Sequence, residues 1–335
     1  MSGFEENEIS IKSNGGTELS KRSIAKYIPE ELANEFQIIA SRMREIEEDK
    51  IRIYWVHDLA DDPELEHLRD ENNRNKFHKI VFVSHWQMND FITKYNIPWT
   101  DKLCVIENPI VPIETHQKPT DKINLIYFST PQRGLSILVP VFEALAKQYE
   151  NIHLNVYSSF KIYGWEEADK SFEPLYDKIR NHPRMTYHGF APQEELREAL
   201  MNNHILAYPS IWPETSCRVL IESMSAGMIC VHPNFAALPE TSAGMTNYYQ
   251  YNENVNEHAN FFFNHLRNAV DLVNEDSEKE GFRNYVNLVK AYADTRFNES
   301  KIGGQWNHLL RALLAKYPEA SKRKVPGKQF IYKTS

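Results

Sequence analysis

The chain has 335 residues, too many for one small core and suited to two domains of ordinary size. Hydrophobic residues make up 41% and charged residues 25%, the profile of a soluble globular protein. A formal net charge of −8 argues against non-specific nucleic-acid binding, which relies on clustered positive charge, so no stable nucleic-acid partner is expected.

In chain order, MSGFEENEIS has neither the basic start nor the apolar run of a signal peptide. Gly15 and Gly16 then form a short loop entering the helical pattern GTELSKRSIAKYIPEEL, by itself a weak phosphate-cradle signal. KIRIYWVH, HKIVFVS and KLCVIEN read as strands, separated by the helical segments DPELEHLRDENNRN and HWQMNDFITKY. Residues 108–122, NPIVPIETHQKPTDK, hold three prolines and no helical period, and read as the linker between domains. Five further strands follow: INLIYFST, IHLNVYS, RMTYHGF, HILAYPS and MICVHP. Between them lie the helical patterns GLSILVPVFEALAKQY, APQEELREALMNN and TSCRVLIESMSAG. Beyond about residue 257 the chain turns to helix only, in three amphipathic segments. The stub SKRKVPGKQF reads as a solvated tail, with a weak phosphate or membrane-surface contact as the alternative.

Strand, loop and helix in repetition predict an α/β fold of two Rossmann-like domains with parallel sheets. Their extents are read as 1–112, 113–300 and a C-terminal segment 301–335 whose helix crosses back to the first domain. Open α/β domains predict a ligand in the cleft between them, at the carboxyl ends of the strands. The longest apolar stretch, LSILVPVFEALA, is too short to span a bilayer, leaving at most peripheral membrane contact. Cys104, Cys217 and Cys230, an odd number without paired spacing, read as free thiols in a reducing compartment. A cytoplasmic location is therefore expected.

The candidate chemistry centres on WPETSCRVLIESMSAG. A helix is expected to begin near Thr215, with Thr215 and Ser216 as caps, so that the amides of Ser216, Cys217 and Arg218 attract phosphate. Glu214 and Glu222 flank that start, on the order of 10 Å apart along the axis. This span suits a nucleotide-sugar, whose sugar and ribose both present vicinal hydroxyls to a carboxylate. Two glutamates on a solvent-facing helix are the plain alternative. Arg133, which with Gly134 opens the helix after the strand ending at Ser129-Thr130, offers a fork for a diphosphate, and Gly134 lets the backbone come close. His57 either bonds a sugar hydroxyl or is a satisfied structural histidine. The aromatics of SSFKIYGW read as packing rather than as a stacking platform. No Asp-x-Asp at a strand end, HExxH or Cys/His zinc spacing is present, so no metal is expected, and Gly-x-Ser-x-Gly is absent.

YPSIWPETSCRVLIESMSAGMICV, with HGF, EELREAL and ALPET around it, resembles the retaining, nucleotide-sugar-dependent glycosyltransferases of the GT-B fold, family 4 (glycosyl transferases group 1). The resemblance spans about residues 120–255, has Ser223 in place of an alanine, and is closest in wording to phage-encoded members, for which the location would be the host cytoplasm. It implies a UDP- or GDP-sugar donor, no cofactor, and a glycan, lipid-linked or other hydroxyl acceptor. It further implies that Glu222 binds the ribose, Glu214 the sugar and Arg133 the diphosphate. His188, Gly189 and Phe190 would border the base, with Gly15, Gly16 and His57 contributed by the first domain. The usual Gly-Arg before the diphosphate lysine is absent here, so Arg218 is expected to supply the second cation. Transfer is expected through an oxocarbenium-like state, with the leaving diphosphate taking the acceptor proton. A nucleotide-sugar epimerase of the same fold and an inactive carbohydrate- or nucleotide-binding module stay open as alternatives.

Overall fold

Val, Ile, Tyr and Phe runs that are apolar on both faces are strands covered by helices on both sides. In β2 (Ile51–Val56) and β5 (Ile123–Phe128) every residue is buried. The computed structural model describes residues 15–43, 45–115 and 117–324. The opening residues before Gly15 and the basic tail beyond residue 324 lie outside the described residues. The chain forms two units, residues 1–110 with 297–335, and residues 111–296.

The first unit holds a parallel sheet of β1 (Phe36–Ala40), β2, β3 (Lys79–Phe82) and β4 (Leu103–Val105), in that order. Its core includes Ile24, Ile53, Trp55 and Val81, closed by Ile302, Trp306 and Leu310 of the helix Glu299–Lys316. Trp306 meets Trp55 edge-on at 4.9 Å between ring centroids. At Gly303 a Cβ would fall 2.3 Å from the Tyr27 ring, so the absence of a side chain sets how closely this helix seats. Ile110 and residues 297–299 then lie side by side, bonded at 2.8 and 2.9 Å through the backbone.

β1 has no counterpart in the sequence reading, which ran one helix as far as Leu32. Pro29 divides that pattern into Gly16–Ala25 and the short Glu30–Ala33, and the five buried residues of FQIIA follow as a strand. The expected helix over DPELEHLRDENNRN is likewise two pieces, a 3-10 turn Pro63–Arg69 and a helix Glu71–Arg74. Each starts on an aspartate: Asp62 accepts from the Glu64 amide at 2.9 Å and Asp70 from that of Asn72 at 2.8 Å. An internal N-cap ends one helix by beginning another.

The second unit is a six-stranded parallel sheet of β5, β6 (Ile152–Tyr157), β7 (Met185–Tyr187), β8 (Ile205–Ala207), β9 (Ile229–Pro233) and β10 (Asn247–Tyr249). The spatial order is β10-β9-β8-β5-β6-β7, so the chain winds one way from β5 and then returns beside it at β8. The gap between the ends of β5 and β8 is the topological switch point, where ligands of open α/β sheets bind.

The proline-rich segment after Ile110 is stitched to this second unit. The Ile113 amide donates to Ser225 Oγ at 2.8 Å. Lys118 Nζ donates to the carbonyls of Met201 at 3.2 Å, Asn203 at 2.7 Å and Ala226 at 3.1 Å, closing the C-terminal ends of two helices with one ammonium. Burial pushes Lys118 down to about 8. The two units divide at 110/111 and 296/297, where the sequence reading divided the chain at 112/113 and 300/301.

Two outcomes are expected. Trp306→Ala removes the largest side chain closing the first core and costs about 3–5 kcal/mol. Calorimetric unfolding should show one transition lowered while the second unit's is kept. Burial also lowers His67, His78, His204 and His232 to about 4. Unfolded histidines titrate near ~6.5, so below that pH the unfolded chain binds more protons and stability declines towards pH 4. The melting temperature should be level above pH 7 and fall between pH 6.5 and 5, before carboxylates titrate; a level profile there contradicts the assignment.

Candidate functional site

Ser129 and Thr130 follow β5, and a single 3-10 turn, Pro131–Arg133, leads to Gly134. Gly134 has φ 124°, and a Cβ there would lie 2.2 Å from the Pro209 carbonyl oxygen. Only glycine lets the loop after β5 close onto the loop after β8. That closure brings Arg133 to Glu214. Nη1 of Arg133 donates to Oε1 at 2.7 Å and Oε2 at 2.8 Å, and the Tyr208 hydroxyl donates to Oε1 at 2.6 Å. The pair is largely buried, with side-chain exposures of 21% and 7%. Burial opposes the charge on Arg133, but the Glu214 carboxylate, with the phenols of Tyr208 and Tyr163, raises it well above its ordinary range. Burial, and then Glu214, pushes the Tyr208 phenol well up, so it remains a donor. Arg133 also donates to the Tyr163 hydroxyl at 3.4 Å and lies 5.6 Å from the Trp212 ring centroid.

The following helix is Arg218–Ser225, three residues later than the expected start. Cys217 at the N-cap is extended, with φ −88° and ψ 93°, and makes no side-chain cap bond. Thr215 and Ser216 lie in a bend before the helix, and Cys217 holds the N-cap position. The first-turn amides are those of Arg218, Val219 and Leu220 rather than of Ser216 to Arg218. Glu222 comes one turn in, where Arg218 Nη2 bonds Oε1 at 2.6 Å and Gln193 Nε2 approaches the same oxygen at 3.4 Å. Each glutamate of the opening motif is thus paired with an arginine.

Beyond β7, His188 stacks flat on Tyr157 at 4.1 Å with a 3° tilt, and its Nε2 lies 3.2 Å from Asn155 Oδ1. Gly189, at φ 67°, turns the chain to Phe190, whose ring centre lies 5.9 Å from Lys161 Nζ. In the first unit, Gly15 caps the helix Gly16–Ala25, and its carbonyl accepts the Leu19 amide at 3.1 Å. Gly15 has φ −61°, a conformation open to any residue. His57 follows β2, packed 4.3 Å from the Trp55 ring. Burial first, then the charge of Lys21, lowers His57 to about 3, so the imidazole is neutral at physiological pH. Glu240 Oε1 lies 4.0 Å from Arg296 Nη2.

The structure therefore joins Arg133, Gly134 and Glu214 directly, with Arg218 and Glu222 one turn further along the same segment. Tyr208, Gln193 and Tyr163 were missed by sequence reasoning. Tyr208 and Tyr163 sit inside apolar runs, where a tyrosine signals only packing. Gln193 opens a helix among glutamates and carries no mark of its own. Among the described residues, no group of three or more His, Cys, Asp or Glu is placed to hold a metal ion, and no helix is long and apolar enough to cross a membrane.

Gly134→Ala forces a β-carbon against a backbone oxygen at a left-handed position, two costs that the loop cannot relieve together. We expect a loss of about 2–4 kcal/mol in the second unit, read by chemical denaturation, together with loss of the Arg133–Glu214 contact in a crystal structure.

The family model described as glycosyl transferases group 1 matches residues 113–246. By sequence alone no curated protein matches the chain. Among solved structures, Anabaena Alr3699/HepE in complex with UDP is similar at TM-score 0.60 and 18% identity, over 89% of this chain and 77% of that one. A glycosyltransferase from Rickettsia africae gives TM-score 0.63 at 12% identity, over 91% and 84%. Sucrose-phosphate synthase from Thermosynechococcus elongatus gives 0.59 at 16%, over 80% and 69%. At these identities the likeness is one of fold, two parallel sheets flanked by helices. Residues 113–246 thus match the glycosyl transferases group 1 model, and the chain shares the two-sheet α/β fold of GT-B glycosyltransferase structures.

Proposed function

We propose that the chain transfers a sugar from a nucleoside diphosphate sugar to an acceptor hydroxyl, with retention of anomeric configuration and without a metal. The observation that carries this reading is the Arg133–Glu214 pair at the switch point, beside the helix start at Arg218. It is supported by the group 1 match over the same residues and by similar HepE structures in complex with UDP and with UDP-glucose. UDP-sugars are accordingly the proposed donors.

In this reading Glu222 holds the ribose hydroxyls and Glu214 those of the transferred sugar. The amides of Arg218 to Leu220 receive the diphosphate through the helix start. Arg133 uses Nη1 for Glu214, while its Nε is buried without a hydrogen-bond partner among the described residues. That nitrogen is the donor proposed for a diphosphate oxygen, with Arg218 supplying the second cation. His188, Gly189 and Phe190 border the base, and Thr215, Ser216 and Cys217 carry the chain between sugar and diphosphate. Gly15, Gly16 and His57 of the first unit are proposed for the sugar and diphosphate. The neutral imidazole of His57 suits a hydroxyl, because it can donate and accept without an ion's desolvation cost. As the glycosidic bond to the diphosphate breaks, positive charge develops on the sugar and negative charge on the leaving group. Arg133 and the helix-start amides stabilise the latter, and its oxygen takes the acceptor proton.

Calorimetric titration with UDP, GDP and ADP, in chelator and then in magnesium, tests the donor site. UDP should bind selectively without metal, and about 10- to 100-fold more weakly to Glu222→Ala. Arg133→Ala should retain much of the nucleotide affinity and lose about 100- to 1,000-fold in turnover. Absence of nucleotide binding to the unaltered protein would remove the transferase reading altogether.

A further inference from the structure

The aromatics of the loop after β6, expected as packing, are not all buried. Trp165 is 63% exposed and Trp212, in the loop after β8, 40%. Indole surface left in water is costly, so two such rings beside one polar site are unusual in a surface that binds nothing. Neither loop is loose. Phe160–Tyr163 is a 3-10 turn capped by Ser159, and Asp169 holds it through the Phe160 amide at 3.0 Å and the Tyr176 hydroxyl at 2.9 Å. Gly164, at φ 75°, then turns the chain so that Tyr163 and Trp165 lie 5.2 Å apart, ring to ring.

Both aromatic groups converge on Arg133: Trp212 at 5.6 Å from the guanidinium, Tyr163 through its hydroxyl at 3.4 Å. The same turn that carries Arg133 leaves Gln132 Oε1 and Thr130 Oγ1 buried, without a hydrogen-bond partner among the described residues. Thr130 is only 4% exposed. Unmatched buried oxygens cost stability unless a ligand satisfies them. A carbonyl oxygen such as Oε1 repels phosphate and accepts from hydroxyls, so the unmatched atoms here call for a polyol.

We infer that Trp212, Tyr163 and Trp165 form a subsite for a pyranose ring, with Gln132 accepting from a ring hydroxyl. A pyranose has a face of C–H groups, slightly positive, that settles on the negative face of an indole, and a rim of hydroxyls for the polar atoms beside it. The subsite deepens the proposed function and rests on it. The ring belongs either to the donor's glycosyl group or to a glycan acceptor.

Calorimetry and tryptophan fluorescence decide between these sources. The titrants are UDP, then UDP-glucose, UDP-galactose and UDP-N-acetylglucosamine, and the methyl glycosides of glucose, galactose, mannose and N-acetylglucosamine with and without UDP. The proteins are the unaltered chain, Trp165→Ala, Trp212→Ala and Trp212→Phe. UDP affinity should stay within about twofold throughout. If the ring is the donor's, one UDP-sugar binds more tightly than UDP, and the alanine variants lose about tenfold of that increment while Trp212→Phe restores part of it. If it is the acceptor's, the same pattern appears in glycoside binding. Sugar binding that is absent, or unaffected by both alanine changes, overturns the subsite. Failure of UDP to bind the unaltered protein instead removes the donor reading, and the glycoside titrations still test the subsite.

Discussion

One buried ion pair holds the candidate site together. Arg133 belongs to the loop after β5 and Glu214 to the loop after β8, eighty-one residues apart in sequence. Removing two charges from water costs several kcal/mol each, and attraction repays it only when geometry is good and the remaining valences are filled. Here Tyr208 supplies the extra hydrogen bond to the carboxylate, and Gly134 removes the side chain that would keep the loops apart. Either partner alone would be a buried charge without its counter-ion. The positions of Trp212 and Tyr163 follow from the same contact, since both touch the guanidinium.

With Arg218 paired to Glu222 as well, the two cations and two carboxylates cancel. An anion arriving here meets no strong net field from side chains. What remains directed at it are dipoles: the helix-start amides and the guanidinium nitrogens that the glutamates do not use. Such groups are held in place before the ligand arrives, and a site of this kind selects by geometry more than by charge. It also accounts for how an acidic chain can be proposed to hold a diphosphate without a basic patch.

The sequence made the α/β architecture legible because buried parallel strands are nearly continuous apolar runs, and the strongest of these, Ile51–Val56 and Ile123–Phe128, were read directly. β1 and β10 escaped. The first follows a helical pattern without a marked break beyond Pro29, and the second is three residues long, with Tyr248 exposed. Of the candidate site, Glu214, Glu222, Arg133 and Gly134 were legible as types at a spacing. Their partners were not, because which arginine meets which glutamate depends on strand order, and strand order is a property of the closed sheet. The helix start lies three residues later than Thr215 because the backbone bends at Thr215 and Ser216 and is still extended at Cys217. The proline segment after Ile110 was read as a tether from composition alone, while Lys118, a long-range clasp on two helix ends, leaves no local pattern.

The discontinuity of the first unit has a temporal side. Its sheet is complete by Val105, yet Ile302, Trp306 and Leu310, which close its core, come after the whole of the second unit. The second unit is contiguous and contains all of its own strands. As the chain emerges from the ribosome, the first four strands wait with Trp55 uncovered while the second unit is made and can fold. The fold that begins first is thus the one that finishes last, and the apolar face around Trp55 lacks Trp306 until the second unit has been made.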